Sequence, residues 1–213
     1  MTQVAVIDYG MGNTGSLLNM LRRIGVAAIL THEKEQLASC SHFILPGVGS
    51  FDSAMTNLKN RDLLCSLQEC VIDSQKPFLG ICLGMQLLAH SSEEGQLPGL
   101  GWIDAAVKKF PAFSDPALPV PHMSWNSAES SPNSDLFAHS AEERFYFVHS
   151  YYMACEHESD IAATTEYGIT FTSAVNRNNI FGVQFHPEKS HRFGKELLSR
   201  FLDVKKVADD QTT

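Results

Sequence analysis

Up to about residue 92, short apolar runs alternate along the chain with segments whose apolar side chains recur every three or four positions. Four of the apolar runs predict buried strands, at 4–9, 26–30, 42–45 and 76–81, and the third of these ends in a Pro-Gly turn. Two periodic segments predict helices, at 13–24 and 61–74. This alternation is typical of a parallel, doubly wound α/β sheet, which binds ligands at the carboxyl ends of its strands.

From about residue 100 onward, the pattern changes to short β-rich runs separated by Pro, Ser and Asn clusters. These runs predict an antiparallel or mixed extension of the sheet. An apolar stripe through Phe193, Leu197 and Phe201 then predicts a closing helix. Because no internal repeat or low-complexity linker interrupts the chain, we expect a single domain over residues 1–205, followed by a polar tail at 206–213.

The first predicted strand leads into Gly10, Gly12 and Gly15, which have the spacing G-x-G-x-x-G. Between a strand and a helix, this spacing is typical of a dinucleotide-binding turn, and Glu33 lies near the place of a ribose-binding carboxylate. Glycines also occur wherever a strand turns tightly into a helix. The pattern by itself therefore leaves open both a cofactor site and a simple feature of the fold.

The composition excludes several classes of function. The 213 residues carry a formal net charge of −8, whereas a general nucleic-acid surface needs clustered Lys and Arg. No apolar run is long enough to span a membrane, and the N-terminus lacks the character of a signal peptide, so we expect a cytoplasmic protein. The five cysteines, an odd number with irregular spacing, favour reduced thiols over a disulfide framework. Because none of them forms a C-x-x-C pair, we expect no metal site.

The segment PFLGICLGMQLL places Cys82 between a predicted strand and a predicted helix, with Gly80 and Gly84 two residues to either side. This spacing is the cysteine form of the nucleophile elbow, in which small residues permit a sharp strand-to-helix turn. Backbone N–H groups at a helix N-terminus favour a thiolate and can stabilise an oxyanion. The alternative is a buried structural thiol, and a partner base must decide between the two.

The segment FGVQFHPEKS supplies such a base at the carboxyl end of the last predicted strand. His186 and Glu188 are two residues apart, and Pro187 favours an extended backbone at His186, so both side chains are expected on the same side. Glu188 can then hold one ring nitrogen of His186 while the other faces Cys82, as in a catalytic triad. Alone, the segment would be read as a surface turn.

Five segments occur together in order: LPGVGSF, GICLGMQLL, SEEG, HSYY and GVQFHPEKS. In this combination the chain resembles the class I (triad) glutamine amidotransferases from its first strand to its last helix. Because of PHMSWN and the Lys-Ser after the H-P-E segment, it looks like the glutaminase subunits of imidazole glycerol phosphate synthases. The resemblance implies a flavodoxin-like three-layer α/β sandwich with a mostly parallel central sheet and a β-rich extension.

The resemblance implies hydrolysis of L-glutamine to glutamate and ammonia without a cofactor. In this family the thiolate, here Cys82, attacks the amide, His186 protonates the departing ammonia, and Glu188 orients His186. The implied oxyanion donors are the backbone N–H of Leu83 and a loop, containing Gly47 and Val48, that undergoes a peptide rearrangement in relatives. The residues implied to bind glutamine are Gln86, Glu94 and the backbone at Ser150 and Tyr151. On sequence alone, Gln86 could equally be a helix-surface residue and Glu94 part of a solvated turn.

The resemblance also implies a partner, because a chain filled by the glutaminase fold leaves no room for a synthase domain. We expect a heterodimer with a barrel-shaped cyclase subunit, which receives the ammonia through an internal passage. That subunit makes imidazole glycerol phosphate and AICAR in histidine biosynthesis. Low turnover of glutamine by the isolated chain is a further implication. The residues expected at the interface are Asn13, Met123, Trp125, Asn126 and Lys189, although Trp125 could also belong to the core.

The chain departs from the family pattern at two places. Ser124 stands where the family usually has Gly, and Thr14-Gly15 stands where the family usually has Leu-Arg. Since relatives carry Arg at the third glycine position, Gly15 completes the dinucleotide pattern by coincidence. Both departures lie away from the implied triad, so their expected effects concern partner docking or coupling.

Other functions stay open on sequence alone. A paralogous glutaminase subunit would feed a sugar amidotransferase in surface-polysaccharide synthesis. A non-catalytic, Rossmann-like binding module would keep its properties without Cys82 and His186. A stand-alone cysteine hydrolase would turn over glutamine rapidly without a partner.

Overall fold

The computed structural model describes residues 2–116, 118–132, 134–138 and 143–205. The strands are β1 (Gln3–Ile7), β2 (Ala27–Thr31), β3 (His42–Gly47), β4 (Phe78–Cys82), β5 (Ser91–Ser92), β6 (Ala105–Lys109), β7 (His122–Ser127), β8 (Glu129–Ser130), β9 (Arg144–His149), β10 (Tyr151–Cys155), β11 (Ile161–Glu166), β12 (Thr170–Arg177) and β13 (Ile180–Val183). The α-helices are α1 (Thr14–Ile24), α2 (Lys34–Ser39), α3 (Phe51–Asn60), α4 (Leu63–Leu67), α5 (Leu83–Gln86) and α6 (His191–Asp203). The predicted polar tail at 206–213 lies outside the described residues, and the domain boundary at 205 stays a prediction.

A central sheet carries the fold, and in the described part of the chain it has eleven strands. Its main path is β2-β1-β3-β4-β13-β12-β10-β6-β5, with β11 paired to β12 and β8 paired to β11. The first five strands of this path, β2, β1, β3, β4 and β13, run parallel to one another. The strands β12, β10 and β6 continue the sheet in antiparallel pairs. The predicted α/β fold, with a mostly parallel central sheet and a β-rich extension, is confirmed.

Both faces of the inner parallel strands β1, β3, β4 and β13 are buried, which explains why these strands are rich in apolar residues. In β1, Ala5 and Ile7 belong to one apolar cluster, whereas Val4 and Val6 belong to a second cluster. All four side chains are fully buried. Because successive residues of a strand point to opposite faces, these two clusters are the two core layers between the sheet and its helices.

None of the described helices is long and apolar enough to cross a bilayer.

The prediction that the third strand ends in a Pro-Gly turn is wrong, because β3 continues through Pro46 to Gly47. The pairing of β3 with β1 reaches only Ile44, whereas its pairing with β4 runs on until Gly47 lies opposite Cys82. Proline has no N–H to donate, and it is tolerated here because no strand pairs with β3 on the β1 side at that position. The extra length brings the glycine loop beside the cysteine.

Two helical segments differ from prediction. The helix α3 has no counterpart among the predicted elements, although Phe51, Ala54, Met55 and Leu58 give it a buried stripe at helical spacing. The helix predicted at 61–74 begins later, at Leu63, and continues after Leu67 as a wider π-helical turn over Gln68–Asp73. The first and last predicted helices are confirmed as α1 and α6.

Candidate active site

Cys82 lies at the last position of β4, directly before α5. Its φ of 55° is unusual for a residue with a side chain, and such strain is typical of functional turns. A β-carbon at Gly80 would lie 2.5 Å from the Gly84 carbonyl oxygen, and one at Gly84 would collide with the Leu45 carbonyl oxygen. The two glycines therefore let α5 turn back tightly over β3 and β4, as an elbow requires.

We expect Gly84→Ala to lower the free energy of unfolding by about 1–3 kcal/mol, because the added methyl group must push α5 away from β3. The matched control is Gly15→Ala in α1, where a β-carbon meets nothing within 4 Å. That change should be neutral or raise the stability by up to about 1 kcal/mol. Urea denaturation measures both, and equal stabilities for the two variants would contradict the close approach at Gly84.

His186 and Glu188 follow β13 and are almost completely buried. His186 Nδ1 lies 2.8 Å from Glu188 Oε1, and the Ser190 hydroxyl donates a 2.6 Å hydrogen bond to the His186 carbonyl oxygen. The expected extended backbone is present at His186 but ends there, because Pro187–Lys189 form a 3₁₀ turn. The turn, rather than strand alternation, brings the carboxylate back to the imidazole.

The other ring nitrogen of His186, Nε2, is buried and makes no hydrogen bond of acceptable geometry within the described residues. Burial by itself lowers the pKa of His186. Hydrogen bonding and charge interaction with the Cys82 sulfur and the Glu188 carboxylate outweigh this effect and raise that pKa to about 10. His186 is thus held in its protonated form across the neutral pH range, ready to give a proton away.

The glycine loop after β3 lies against the start of α5. A β-carbon at Gly47 would lie 2.7 Å from both the Gly84 backbone nitrogen and the Leu83 side chain, so only glycine fits. The first turn of a helix leaves backbone N–H groups without helical acceptors, and Leu83 is in that turn. The adjacent Val48 is 44% exposed, so this loop also reaches the surface, and its role as an oxyanion donor stays a prediction.

Tyr9, between β1 and α1, supports this loop from below. Its buried hydroxyl donates a 2.8 Å hydrogen bond to the Pro46 carbonyl oxygen, and Gly12 packs against Pro46. No motif in the sequence marks this contact. The turn that carries the dinucleotide-like glycines therefore supports the proposed oxyanion loop, whereas the third glycine, Gly15, packs against nothing.

One cavity of about 340 Å³ opens on these groups. Among the residues that line it are six of those expected from the sequence: Cys82, His186, Gln86, Glu94, Ser150 and Tyr151. Leu83 and Val48 also line it, whereas Glu188 and Gly47 stand behind the lining. The volume suits a ligand the size of an amino acid, and polar groups converge on it from several elements.

Gln86 and Glu94 are both tied into the structure. Gln86 is buried, and its Nε2 donates to the Tyr151 carbonyl oxygen and to Gln184 Oε1, each at 3.0 Å. The alternative of a helix-surface residue is therefore wrong for Gln86. Glu94 is half-buried, and its Oε2 accepts a 2.9 Å hydrogen bond from the Phe51 backbone N–H. This carboxylate faces the cavity and is not part of a freely solvated turn.

A buried histidine pair lies beside the cavity, where no sequence motif marks it. His149 lines the cavity, its Nδ1 lies 2.7 Å from the Tyr151 carbonyl oxygen, and its Nε2 lies 3.1 Å from His122 Nδ1. Burial lowers the pKa of His149 to about 3 and that of His122 to about 4. Both rings are therefore neutral near pH 7, and they meet only because β7 and β9 pair with these residues in register.

The residues expected at a partner interface lie outside the cavity. Met123 is 58% exposed, and Asn13 is exposed at the start of α1. Trp125 is half-buried and stacks on His191 with ring centroids 5.5 Å apart, so it is not a core residue. Lys189 Nζ lies 5.6 Å from the centre of the Tyr146 ring. Asn126 Nδ2 donates a 2.9 Å hydrogen bond to the Glu166 carbonyl oxygen.

A cysteine at a strained strand-to-helix turn, with a histidine that lines the same cavity and a glutamate hydrogen-bonded to that histidine, is the arrangement of cysteine enzymes that act through a triad. Comparison with known families agrees, since the model for "Glutamine amidotransferase class-I" matches residues 5–204. The chain belongs to the class I glutamine amidotransferase family.

Similar proteins of nearly the same length carry one name. The chain is 52% identical over 200 residues to "Imidazole glycerol phosphate synthase subunit HisH 2" of Methanococcus maripaludis, covering 93% of this chain and 98% of that protein. It is 46% identical to "Imidazole glycerol phosphate synthase subunit HisH" of Leptospira interrogans, covering 94% of this chain and 100% of that protein.

Solved structures share the fold at low sequence identity. The structure of PurLQS from Thermotoga maritima has a TM-score of 0.73 at 15% identity and covers 95% of this chain and 98% of that chain. A glutamine amidotransferase from the same organism has a TM-score of 0.61 at 18% identity, with coverage of 95% and 83%. At these identities the likeness concerns the fold alone.

Proposed function

We propose that this chain is the glutaminase subunit of an imidazole glycerol phosphate synthase, which hydrolyses L-glutamine and passes the ammonia to a separate cyclase subunit. The observation that carries the proposal is the convergence of Cys82 and the His186–Glu188 pair on one cavity of amino-acid size. Relatives that match over nearly the full length and are named as subunits of this synthase support the choice of synthase.

In the proposed reaction, the Cys82 thiolate attacks the side-chain amide carbon of glutamine, and a carbon–sulfur bond forms. The negative charge that develops on the amide oxygen is stabilised by the Leu83 N–H and by the loop at Gly47 and Val48. His186, kept protonated by its surroundings, gives its proton to the departing nitrogen. The carbon–nitrogen bond then breaks, and ammonia leaves a γ-glutamyl thioester on the enzyme.

Water completes the cycle. His186, now neutral, accepts a proton from water as the oxygen attacks the thioester carbon. The carbon–sulfur bond breaks, the thiolate is restored, and glutamate leaves. We assign the Glu94 carboxylate to the substrate's ammonium group and the backbone at Ser150 and Tyr151 to its carboxylate, because all three line the cavity.

The surface around the cavity suits a partner. Val48 lines the cavity and its side chain is exposed. Val120 and Met123 are also exposed, and they stand within two residues of Pro121, which lines the cavity. Exposed apolar side chains beside a cavity are typical of interaction sites. We assign this edge, with Asn13, Trp125, Asn126 and Lys189, to the contact with the cyclase subunit.

The test is reconstitution with the cyclase subunit from the same source and glutamine labelled with ¹⁵N at the amide. We expect ¹⁵N in the imidazole product, measured by mass spectrometry, even with unlabelled ammonium in excess outside. Glutamate release by the isolated chain should be slower than in the complex loaded with the cyclase's nucleotide substrate.

Either of two outcomes contradicts this assignment. Rapid glutamate release by the isolated chain, with no label in the product, would indicate a stand-alone hydrolase. Glutamate release that no added cyclase accelerates, with transfer of label to a sugar acceptor in host extract, would indicate the paralogous function.

A further inference from the structure

Gln184 is a buried residue whose side chain reaches the sulfur of Cys82. It lies just after β13, two residues before His186, and has no exposed surface. Its backbone N–H donates a 2.8 Å hydrogen bond to the Ser173 carbonyl oxygen, which fixes its place in the sheet. Its side-chain nitrogen, Nε2, lies 3.6 Å from Cys82 Sγ, within the range of hydrogen bonds to sulfur.

The orientation of the Gln184 amide follows from its neighbours. The Tyr151 carbonyl oxygen can only accept, so the end of Gln86 that faces it must be the NH₂ group. The same NH₂ group lies 3.0 Å from the Gln184 amide, which must therefore present its oxygen there. The other end of the Gln184 amide, which faces Cys82 Sγ, is then the NH₂ group.

The far end of this chain of hydrogen bonds is fixed as well. His149, which is neutral, donates from Nδ1 to the same Tyr151 carbonyl oxygen, and its Nε2 accepts from His122. From His122 through His149, and from Gln86 through Gln184, each N–H hydrogen in this chain thus has one assigned acceptor. Flipping the Gln184 amide would place its NH₂ group against the NH₂ group of Gln86. The Gln184 side chain can therefore only donate to the sulfur of Cys82.

We propose that Gln184 is a further catalytic residue, which donates a hydrogen bond from Nε2–H to the sulfur of Cys82 and stabilises the thiolate. The proposal rests on the proposed function, in which Cys82 is the nucleophile. A hydrogen-bond donor on sulfur favours the charged form over the neutral thiol. It acts twice in the cycle, before attack on the amide and again when the sulfur leaves the thioester carbon.

Gln184→Met and Gln184→Glu test this assignment. Methionine keeps the approximate length of the side chain without the donor, and glutamate keeps the acceptor for Gln86 but replaces the donor with a negative charge. Alkylation of Cys82 by iodoacetamide, followed peptide by peptide with mass spectrometry from pH 5 to 10, reports thiolate formation without any need for glutamine turnover. The exposed Cys65 serves as a reference thiol in the same sample.

We expect the pH midpoint of Cys82 alkylation to rise by about half a unit in Gln184→Met and by about one unit or more in Gln184→Glu. The midpoint for Cys65 should not move, and the control Gln36→Glu, an exposed charge change in α2, should leave both midpoints unchanged. The other titratable side chains that surround the thiol are the same in all variants: Tyr9, Glu94, His149, His186 and Glu188.

An unchanged Cys82 midpoint in folded Gln184→Met overturns the proposal. If the substitutions prevent folding, the test is made by NMR on the wild-type protein. The side-chain ¹⁵N and ¹H resonances of Gln184 should shift with pH at the same midpoint as Cys82 alkylation. Resonances that do not shift also overturn the proposal. Failure of the proposed function looks different, because Cys82→Ala would then retain glutaminase activity whatever the alkylation midpoints are.

Discussion

Replacing Cys82 with alanine should reduce glutamate release from glutamine by at least about a thousandfold, because a methyl group cannot form the thioester. Alanine fits at a φ of 55° no worse than cysteine does, so the elbow should survive and the loss should be chemical. The measurement is the initial rate of glutamate formation at saturating glutamine, in the isolated chain and in the complex with a cyclase.

The matched control is Cys65→Ala, which removes an exposed free thiol from α4. We expect this variant to keep the wild-type rate within about twofold, because surface substitutions away from a site have small effects. Glutamate release by Cys82→Ala within tenfold of the wild-type rate would exclude Cys82 as the nucleophile and with it the proposed mechanism.

Replacing Glu188 with glutamine should lower kcat/KM by about a hundredfold or more, because a triad carboxylate both orients the histidine and stabilises its positive charge. The change keeps an oxygen near His186 Nδ1, now 2.8 Å from Glu188 Oε1, but removes the charge. The pH dependence gives the sharper result. Glu188 and Cys82 together raise the pKa of His186 to about 10, so removing one negative neighbour must lower that pKa.

The direction of the shift follows from the role of His186 as a proton donor. Activity should fall as the pH rises through the pKa of His186, so the alkaline limb of the kcat/KM profile should move to lower pH in Glu188→Gln. A suitable control is Glu143→Gln, which loses a buried carboxylate 2.9 Å from Arg200, remote from the cavity. It should lower the thermal stability and leave the pH profile in place. An unmoved limb in Glu188→Gln would contradict the assignment.

The parallel half of the fold was predictable because its inner strands are buried on both faces and its helices have apolar stripes. The failures had local causes. Judged from its neighbours in the chain, the Pro46-Gly47 pair indicates a turn. The strand β3 nevertheless continues through Pro46, because its edge toward β1 has no paired strand at that position. The apolar stripe of α3, from Phe51 to Leu58, has helical spacing and is sufficient to predict this helix.

The candidate site shows the same division. The positions of Cys82 and His186 depend on glycines and a proline within two residues of them, so the sequence alone marks them. For Tyr9, nothing nearby in the chain indicates a hydrogen bond to Pro46, 37 residues away. Gln184 stands in the same motif as His186, and strand alternation could have placed both side chains on one side; its contact with the sulfur required the fold.

The α/β class, the elbow at Cys82 and the nearness of Glu188 to His186 could be predicted from the chain alone, because each depends on backbone preferences and burial over a few neighbouring residues. The contacts between distant groups could not: Gln86 meets Gln184, and Gln184 meets Cys82, over separations of 98 and 102 residues. Such contacts depend on strand order, register and the direction of each donor, and these are set by the packing of the whole chain.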